Sequence, residues 1–128
     1  MVELGARMGG DCITTHLVPL STGIDMIEAT IRLACGETPD IERKFCRGSA
    51  IRYFNPPVGR IVSIDGAENA KAIEGVKEIS FTKHVGDTVG AIGSSTDRVG
   101  FVIAQAEDAA AAVAVCERAC KAVYIHIV

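Results

Sequence analysis

The sequence is short of several things that mark common functions. It has no basic excess: 13 Lys+Arg stand against 16 Asp+Glu, a formal net charge of -3. No run of Lys or Arg exceeds Arg43-Lys44, so the basic stripe of a nucleic-acid binder is missing. No apolar run approaches the ~20 residues that cross a bilayer. The opening Met-Val-Glu-Leu-Gly-Ala-Arg lacks the long apolar stretch of a signal peptide. The five cysteines (Cys12, Cys35, Cys46, Cys116 and Cys120) form no C-x-x-C pair and have no His at zinc spacing. Free, mostly buried thiols in a reducing compartment are the expectation, hence the cytoplasm. Nucleotide loops of the Gly-x-Gly-x-x-Gly and Gly-x4-Gly-Lys-Ser/Thr types are absent, as is a Gly-x-Ser-x-Gly elbow.

What is present is ordinary globular material. The chain has 128 residues, 48% hydrophobic and 23% charged. A chain this long buries roughly two-thirds of its unfolded surface, enough for a core without staples.

Patterning divides the chain near residue 44. Val2, Leu4 and Ala6 alternate with Glu3, Gly5 and Arg7, the period of a strand, and Gly9-Gly10-Asp11 ends it. Cys12 to Thr22, punctuated by Pro19 and Gly23, reads as a loop with room for a short element. Ile24, Ile27, Ile31 and Ala34 then share one helical face, with Thr22 or Gly23 as cap and Gly36 as stop. Gly36 to Lys44 is a polar linker. Residues 45–128 read as short strands separated by turns: Cys46 to Phe54, Gly59 to Ile64, Val76 to Thr82, Arg98 to Ala106 and Val123 to Val128, with a glycine-bearing stretch from Val85 to Gly93. A short helix, Ala67 to Glu74, and a longer one, Glu107 to Ala122, interrupt them. The layout predicts an α+β fold of mostly antiparallel strands.

The sharpest constellation is at the start. Extended, Glu3 and Arg7 share a face about 13 Å apart, with Gly5 between them. A carboxylate suits Mg²⁺, a guanidinium grips phosphate, and a Gly-Gly turn lets backbone N–H groups approach an anion. The bland alternative is an exposed strand with one acid, one base and a glycine turn.

Glu-Leu-Gly-Ala-Arg-Met-Gly-Gly-Asp resembles the last strand of ATP-grasp enzymes, Glu-x-Asn-x-Arg-x-Gly-Gly. The likeness continues in order along nearly the whole chain. Gly23-Ile24-Asp25 opens a helix that ends at Ala34-Cys35-Gly36. Arg47-Gly-Ser-Ala-Ile-Arg-Tyr-Phe, Pro56-Pro57-Val-Gly-Arg-Ile and Asp97-Arg-Val-Gly-Phe-Val-Ile-Ala then precede an Ala-rich helix. These segments are similar to the C-terminal domain of L-amino-acid-ligase-like and biotin-carboxylase-like members. The resemblance implies residues 1–44 as the last strand, loop and helix of an ATP-grasp region. It implies 45–128 as the small C-terminal α+β domain.

It also implies chemistry. ATP-grasp ligases use Mg-ATP to phosphorylate a carboxylate, and an amine attacks the acyl phosphate. Glu3 matches the Mg²⁺ position, Arg7 the position that contacts the transferred phosphate, and Gly9 and Gly10 the turn near the acceptor. Gly5 departs from the pattern, where many members carry Asn as a further metal ligand. The family's adenine pocket and phosphate lysines precede this strand, so Mg²⁺ and ATP belong to the intact enzyme. Neither is expected to bind this chain tightly. The expectation is the C-terminal part of a ligase, truncated or half of a split enzyme, that needs an upstream ATP-grasp half. A homodimer is a further expectation from carboxylase relatives.

His16, nine residues after Arg7, is a weaker substrate or proton-transfer candidate beside its plain reading as a loop histidine. His84 sits in a hairpin turn, Lys83 to Asp87, and His126 on a surface strand. Arg47, Arg52, Arg60 and Arg98 read as a solvated face pairing with Glu74, Asp65 or Asp97. Gly93 to Asp97 lacks the Lys of a phosphate loop and reads as a polar hairpin loop. Two rivals are a non-catalytic dimerisation or docking module and a stand-alone thiol enzyme.

Overall fold

The structure is a computed structural model that describes residues 7–128. The opening strand read from the sequence, Glu3 and Gly5 included, lies outside the described residues. The chain divides into two compact units, Met1–Cys46 and Arg47–Val128.

In the first unit a π-helical turn, Ile13–Leu17, runs directly into helix α1, Val18–Thr22. The short element allowed within Cys12 to Thr22 is thus two consecutive helical turns, which leave little of the loop. Pro19 lies in the first turn of α1, where its missing N–H would have no intrahelical partner anyway. Gly23, left-handed at φ 78, ends the helix with its N–H on the Pro19 carbonyl at 2.8 Å. Helix α2 spans Met26–Ala34. Its cap is Asp25, not Thr22 or Gly23: the Asp25 carboxylate accepts from the N–H groups of Ile27 and Glu28 at 3.0 and 2.9 Å. Arg32 bridges Glu28 and Glu37, both at 2.8 Å. The apolar stripe read from the sequence is exposed, Ile27 at 43% and Ile31 at 59%, while Ala29 is buried.

The second unit holds two three-stranded antiparallel sheets. Strands are β1 Gly48–Tyr53, β2 Gly59–Asp65, β3 Val76–Phe81, β4 Thr88–Val89, β5 Gly100–Ala106 and β6 Tyr124–Ile127. One sheet has the order β1-β5-β3 and the other β4-β2-β6. β5 is central because its run Val102-Ile103-Ala104 is buried on both faces. Helix α3, Ala67–Lys71, and helix α4, Ala109–Ala122, complete the unit. α4 packs on β1 and β5. Its fully buried Ala112, Cys116 and Ala119 are small, so helix and sheet approach closely. Phe54 and Phe81 stack in the same core, ring centroids 5.1 Å apart. A second cluster, Ile61, Val89 and Val99, lies beneath the other sheet.

The antiparallel α+β reading holds, but two connections differ from expectation. β3 and β4 belong to different sheets, so Lys83 to Asp87 is a passage between sheets rather than a hairpin turn. The Asp87 carboxylate accepts from the His84 N–H at 2.7 Å and fixes that passage. Likewise β4 and β5 are not paired, and Gly93 to Asp97 folds as a loop with a 3-10 turn over Ser95–Asp97. Among the described residues no helix is long and apolar enough to cross a membrane.

Candidate functional site

Arg7, Gly9 and Gly10 are all exposed. The Arg7 guanidinium donates to the Met8 carbonyl at 2.9 Å. The Met8 sulfur lies 3.4 Å from the Thr30 hydroxyl, which sets this stretch beside α2. The Gly9 carbonyl accepts from the hydroxyl of Thr14 at 3.0 Å, and Thr14 is buried. The Gly10 carbonyl accepts from the Ile13 N–H at 2.9 Å. Both glycines are thus tied to the π-helical turn through their carbonyls.

The chain then does something the glycines do not. Asp11 and Cys12 are consecutive left-handed residues, φ 51 and φ 61. For a residue with a Cβ this conformation costs about 1–2 kcal/mol, and it persists only where surroundings impose it. Here the Cys12 carbonyl accepts from the N–H groups of both His16 and Leu17, each at 3.0 Å. The wider bond is the π-helical one, a geometry frequent at functional sites.

The result is a tight reversal with one exposed side. A Cβ at Gly10 would meet nothing within 4 Å, whereas one at Gly9 would come 3.2 Å from Ile13. Packing therefore explains Gly9 and leaves open space at Gly10. An exposed guanidinium is a group that suits an anionic oxygen. Glu3 lies outside the described residues, and among those described no group of three His, Cys, Asp or Glu side chains is placed to hold a metal. His16 is half-buried, its Nδ1 2.7 Å from the Thr15 hydroxyl. Sequence reasoning did not single out Asp11, Cys12 or Thr14. Asp tolerates the left-handed region, so Asp11 carries a weak signal of it, whereas Cys12 carries none.

The other candidates resolve locally. The Asp97 carboxylate accepts from the N–H groups of Gly93 and Ser94, at 3.0 and 2.8 Å, and from the Ser94 hydroxyl. Those bonds, with the Gly93 N–H foremost, hold its carboxyl below the usual carboxylate range. The N–H groups a phosphate loop would offer are thus taken by the loop's own acid. Arg60 donates to the Gly86 carbonyl, and the Arg98 guanidinium lies 3.9 Å above the Tyr53 ring. Asp65 pairs with His126 at 3.3 Å instead of with an arginine. All five thiols are free. Cys35 and Cys46 are exposed, against the expectation of burial. The Cys116 thiol, 3.4 Å from the Ala50 carbonyl, is pushed up to about 11 by burial.

Comparison with known proteins bears on the fold. Residues 52–128 match the model of the family described as L-amino acid ligase C-terminal domain 2. A protein of Sinorhizobium fredii (strain NBRC 101917 / NGR234), described as uncharacterized protein y4rH, is 28% identical over 124 residues, covering 96% of this chain and 26% of that protein. Phosphoribosylglycinamide synthetase from Anaerococcus prevotii superposes with a TM-score of 0.79 at 22% identity, over 95% of this chain and 32% of that one. L-amino acid ligase from Bacillus licheniformis gives 0.79 at 21% identity, over 97% and 31%. The chain therefore spans about a quarter to a third of the relatives it matches. It has the fold of the C-terminal portions of these ATP-grasp ligases.

Proposed function

Because the chain belongs to the L-amino acid ligase C-terminal domain 2 family, we propose that it is the C-terminal portion of an ATP-dependent carboxylate–amine ligase, inactive alone. The observation that carries this reading is the family match over residues 52–128, ahead of which the Arg7, Gly9 and Gly10 motif stands exposed.

In the reaction a substrate carboxylate oxygen attacks the γ-phosphorus of ATP and ADP leaves. An amine then attacks the acyl carbon, inorganic phosphate leaves, and the nitrogen loses a proton to give an amide. Arg7 bears on the first step: its guanidinium neutralises charge on the phosphoryl oxygens as the bond to ADP breaks. The backbone at Gly9 and Gly10 shapes the wall near the acceptor. Mg²⁺, which Glu3 would hold, supplies charge neutralisation across the phosphate oxygens. The adenine pocket belongs to an upstream ATP-grasp half, in the same chain or a separate subunit. The free thiols support a cytoplasmic setting.

The test is hydroxamate formation from Mg-ATP, hydroxylamine and a panel of L-amino acids. The chain alone should give none, and the chain joined to its upstream ATP-grasp half should give product. In that complete protein Arg7→Ala should lower the rate about 100-fold or more, with the circular dichroism spectrum unchanged. Turnover by the chain alone, or full activity in the variant, overturns the assignment. No hydroxamate from the complete protein, with a tight dimer in sedimentation, makes this a docking module.

A further inference from the structure

Helix α2 wears its apolar side outward. Ile27, Ile31 and Cys35 follow one another at four-residue intervals, so they share one side of the helix. They line one open depression, with Glu28, Arg32 and Glu37 at its rim. Ile27 is 43% and Ile31 59% exposed, and the Cys35 thiol is exposed as well. The side chain that α2 does bury is Ala29, about 200° round the helix from Ile27. An amphipathic helix ordinarily turns its apolar stripe toward a core. Here two isoleucines point out and a single methyl group points in.

The patch runs beyond the helix. The Met8 sulfur lies 3.4 Å from the Thr30 hydroxyl, and Met8 is 43% exposed. Thr30 stands about 60° from Ile27, on the side away from Cys35, so Met8 widens the stripe. The next residue back is Arg7, also exposed. The opposite rim is fixed in shape, because Glu28 and Glu37 hold Arg32 between them, both at 2.8 Å. A contiguous apolar patch with a charged rim marks an interaction surface.

We infer, on the ligase reading above, that this patch is the seat of the upstream ATP-grasp half. Two observations select that occupant. The chain spans about a quarter to a third of the relatives it matches, so most of each relative is material able to cover such a face. Met8 also ties the patch to Arg7, which in the ligase reading meets the phosphoryl group. Whatever covers the patch therefore stands beside the nucleotide. A second copy of this chain would bury the stripe without bringing that nucleotide.

Cys35 lies in the patch and reports on it. N-ethylmaleimide is applied under native conditions to the 128-residue chain and to the same chain joined to its upstream half, and each thiol is followed by mass spectrometry. In the chain alone Cys35 should label rapidly, at a rate independent of protein concentration. In the complete protein its labelling should slow about tenfold or more. Ile27→Asp combined with Ile31→Asp should return Cys35 in the complete protein to the rate of the chain alone. Cys116, buried in the second unit, should stay unlabelled throughout and so report that the variant is folded. Equal Cys35 rates in the chain and the complete protein overturn the inference. So does protection that survives in the folded double variant. Concentration-dependent protection in the chain alone, with a dimer in sedimentation, overturns it in favour of a second copy. Hydroxamate formation is read on the same complete protein. Product with an unprotected Cys35 removes the docking face and keeps the ligase reading; a protected Cys35 without product does the reverse.

Discussion

Cys116 shows how much one buried side chain fixes. Its thiol is fully buried on α4, facing the carbonyls of Ala50 and Val102 at 3.4 and 3.6 Å. Burial is the main cause that raises its pKa to about 11, with the neighbouring Cys120 adding to it. The unfolded thiol titrates near about 8.5. The folded state therefore keeps its proton over a range where the unfolded state loses one. The stability this contributes is fully present below about pH 8.5 and is lost as pH rises toward 11. Urea midpoints should fall between pH 8.5 and 11, and Cys116→Ala, whatever its own midpoint, should flatten that fall. The same proton keeps Cys116 unreactive. In a native thiol titration at pH 8, Cys35 and Cys46 should label first and Cys116 only after denaturant is added. Rapid native labelling of Cys116 would mean the α4–sheet contact is open. Burial also pushes the Cys120 thiol upward, so neither α4 thiol suits a nucleophile.

At the scale of elements, the junction of β1 with α4 is the most demanding contact. Gly48 begins β1, and a Cβ there would overlap the carbonyl group of Asp108. Asp108 is also the cap of α4, its carboxylate accepting from the Ala111 N–H at 2.8 Å. Backbone meets backbone, so neither side can yield by turning a rotamer. Gly48→Ala should destabilise the domain by about 2–3 kcal/mol. Asp108→Ala, which removes only the cap, should cost about 1 kcal/mol. Urea denaturation of the two variants checks the order; equal losses would mean the overlap is relieved by a shift of the strand. Much at this scale was legible. Alternation and turn residues marked β1, β2, β3, β5 and β6, and the small-residue face of α4 was visible from Ala112, Cys116 and Ala119. α1 was hidden because Pro19 and Gly23 signal a break, although the proline sits where a helix tolerates it and the glycine where a helix ends. The pairing of β3 with β5 and of β4 with β2 was equally hidden. Neighbours in sequence read as hairpins, and only tertiary burial decides which sheet a strand joins. At the candidate site, Arg7, Gly9 and Gly10 could be read from their motif. The left-handed pair could not, because Asp11 only tolerates that conformation and Cys12 has no preference for it.

The whole molecule is unevenly built. Both buried clusters, the one around Val102 and Cys116 and the one around Ile61, draw only on residues after Arg47. In the first unit the buried side chains among the described residues are Ala29 and Thr14, while Ile27, Ile31, Leu33 and Ile41 are exposed. Burying a large aliphatic side chain contributes about 1.5–3 kcal/mol, and burying an alanine far less. The second unit can therefore offset the entropy of ordering its own chain, and the described residues of the first, with Leu17, Val18, Leu20 and Ile24 half-buried, offer much less against that loss. Residues 47–128 expressed alone should fold, with a cooperative urea transition and dispersed amide signals. Residues 1–46 alone should show neither. Folding of the short piece by itself would mean that its caps and the Arg32 ion pairs outweigh burial. Ion pairs as exposed as those of Arg32 contribute little, and the one side-chain cap, Asp25 on α2, adds about 1 kcal/mol. That sum falls well short of ordering some forty residues at about 1–2 kcal/mol each for the backbone alone. The segment with Arg7, Gly9 and Gly10 would then owe its order to apolar partners supplied by a larger protein, as the ligase reading requires.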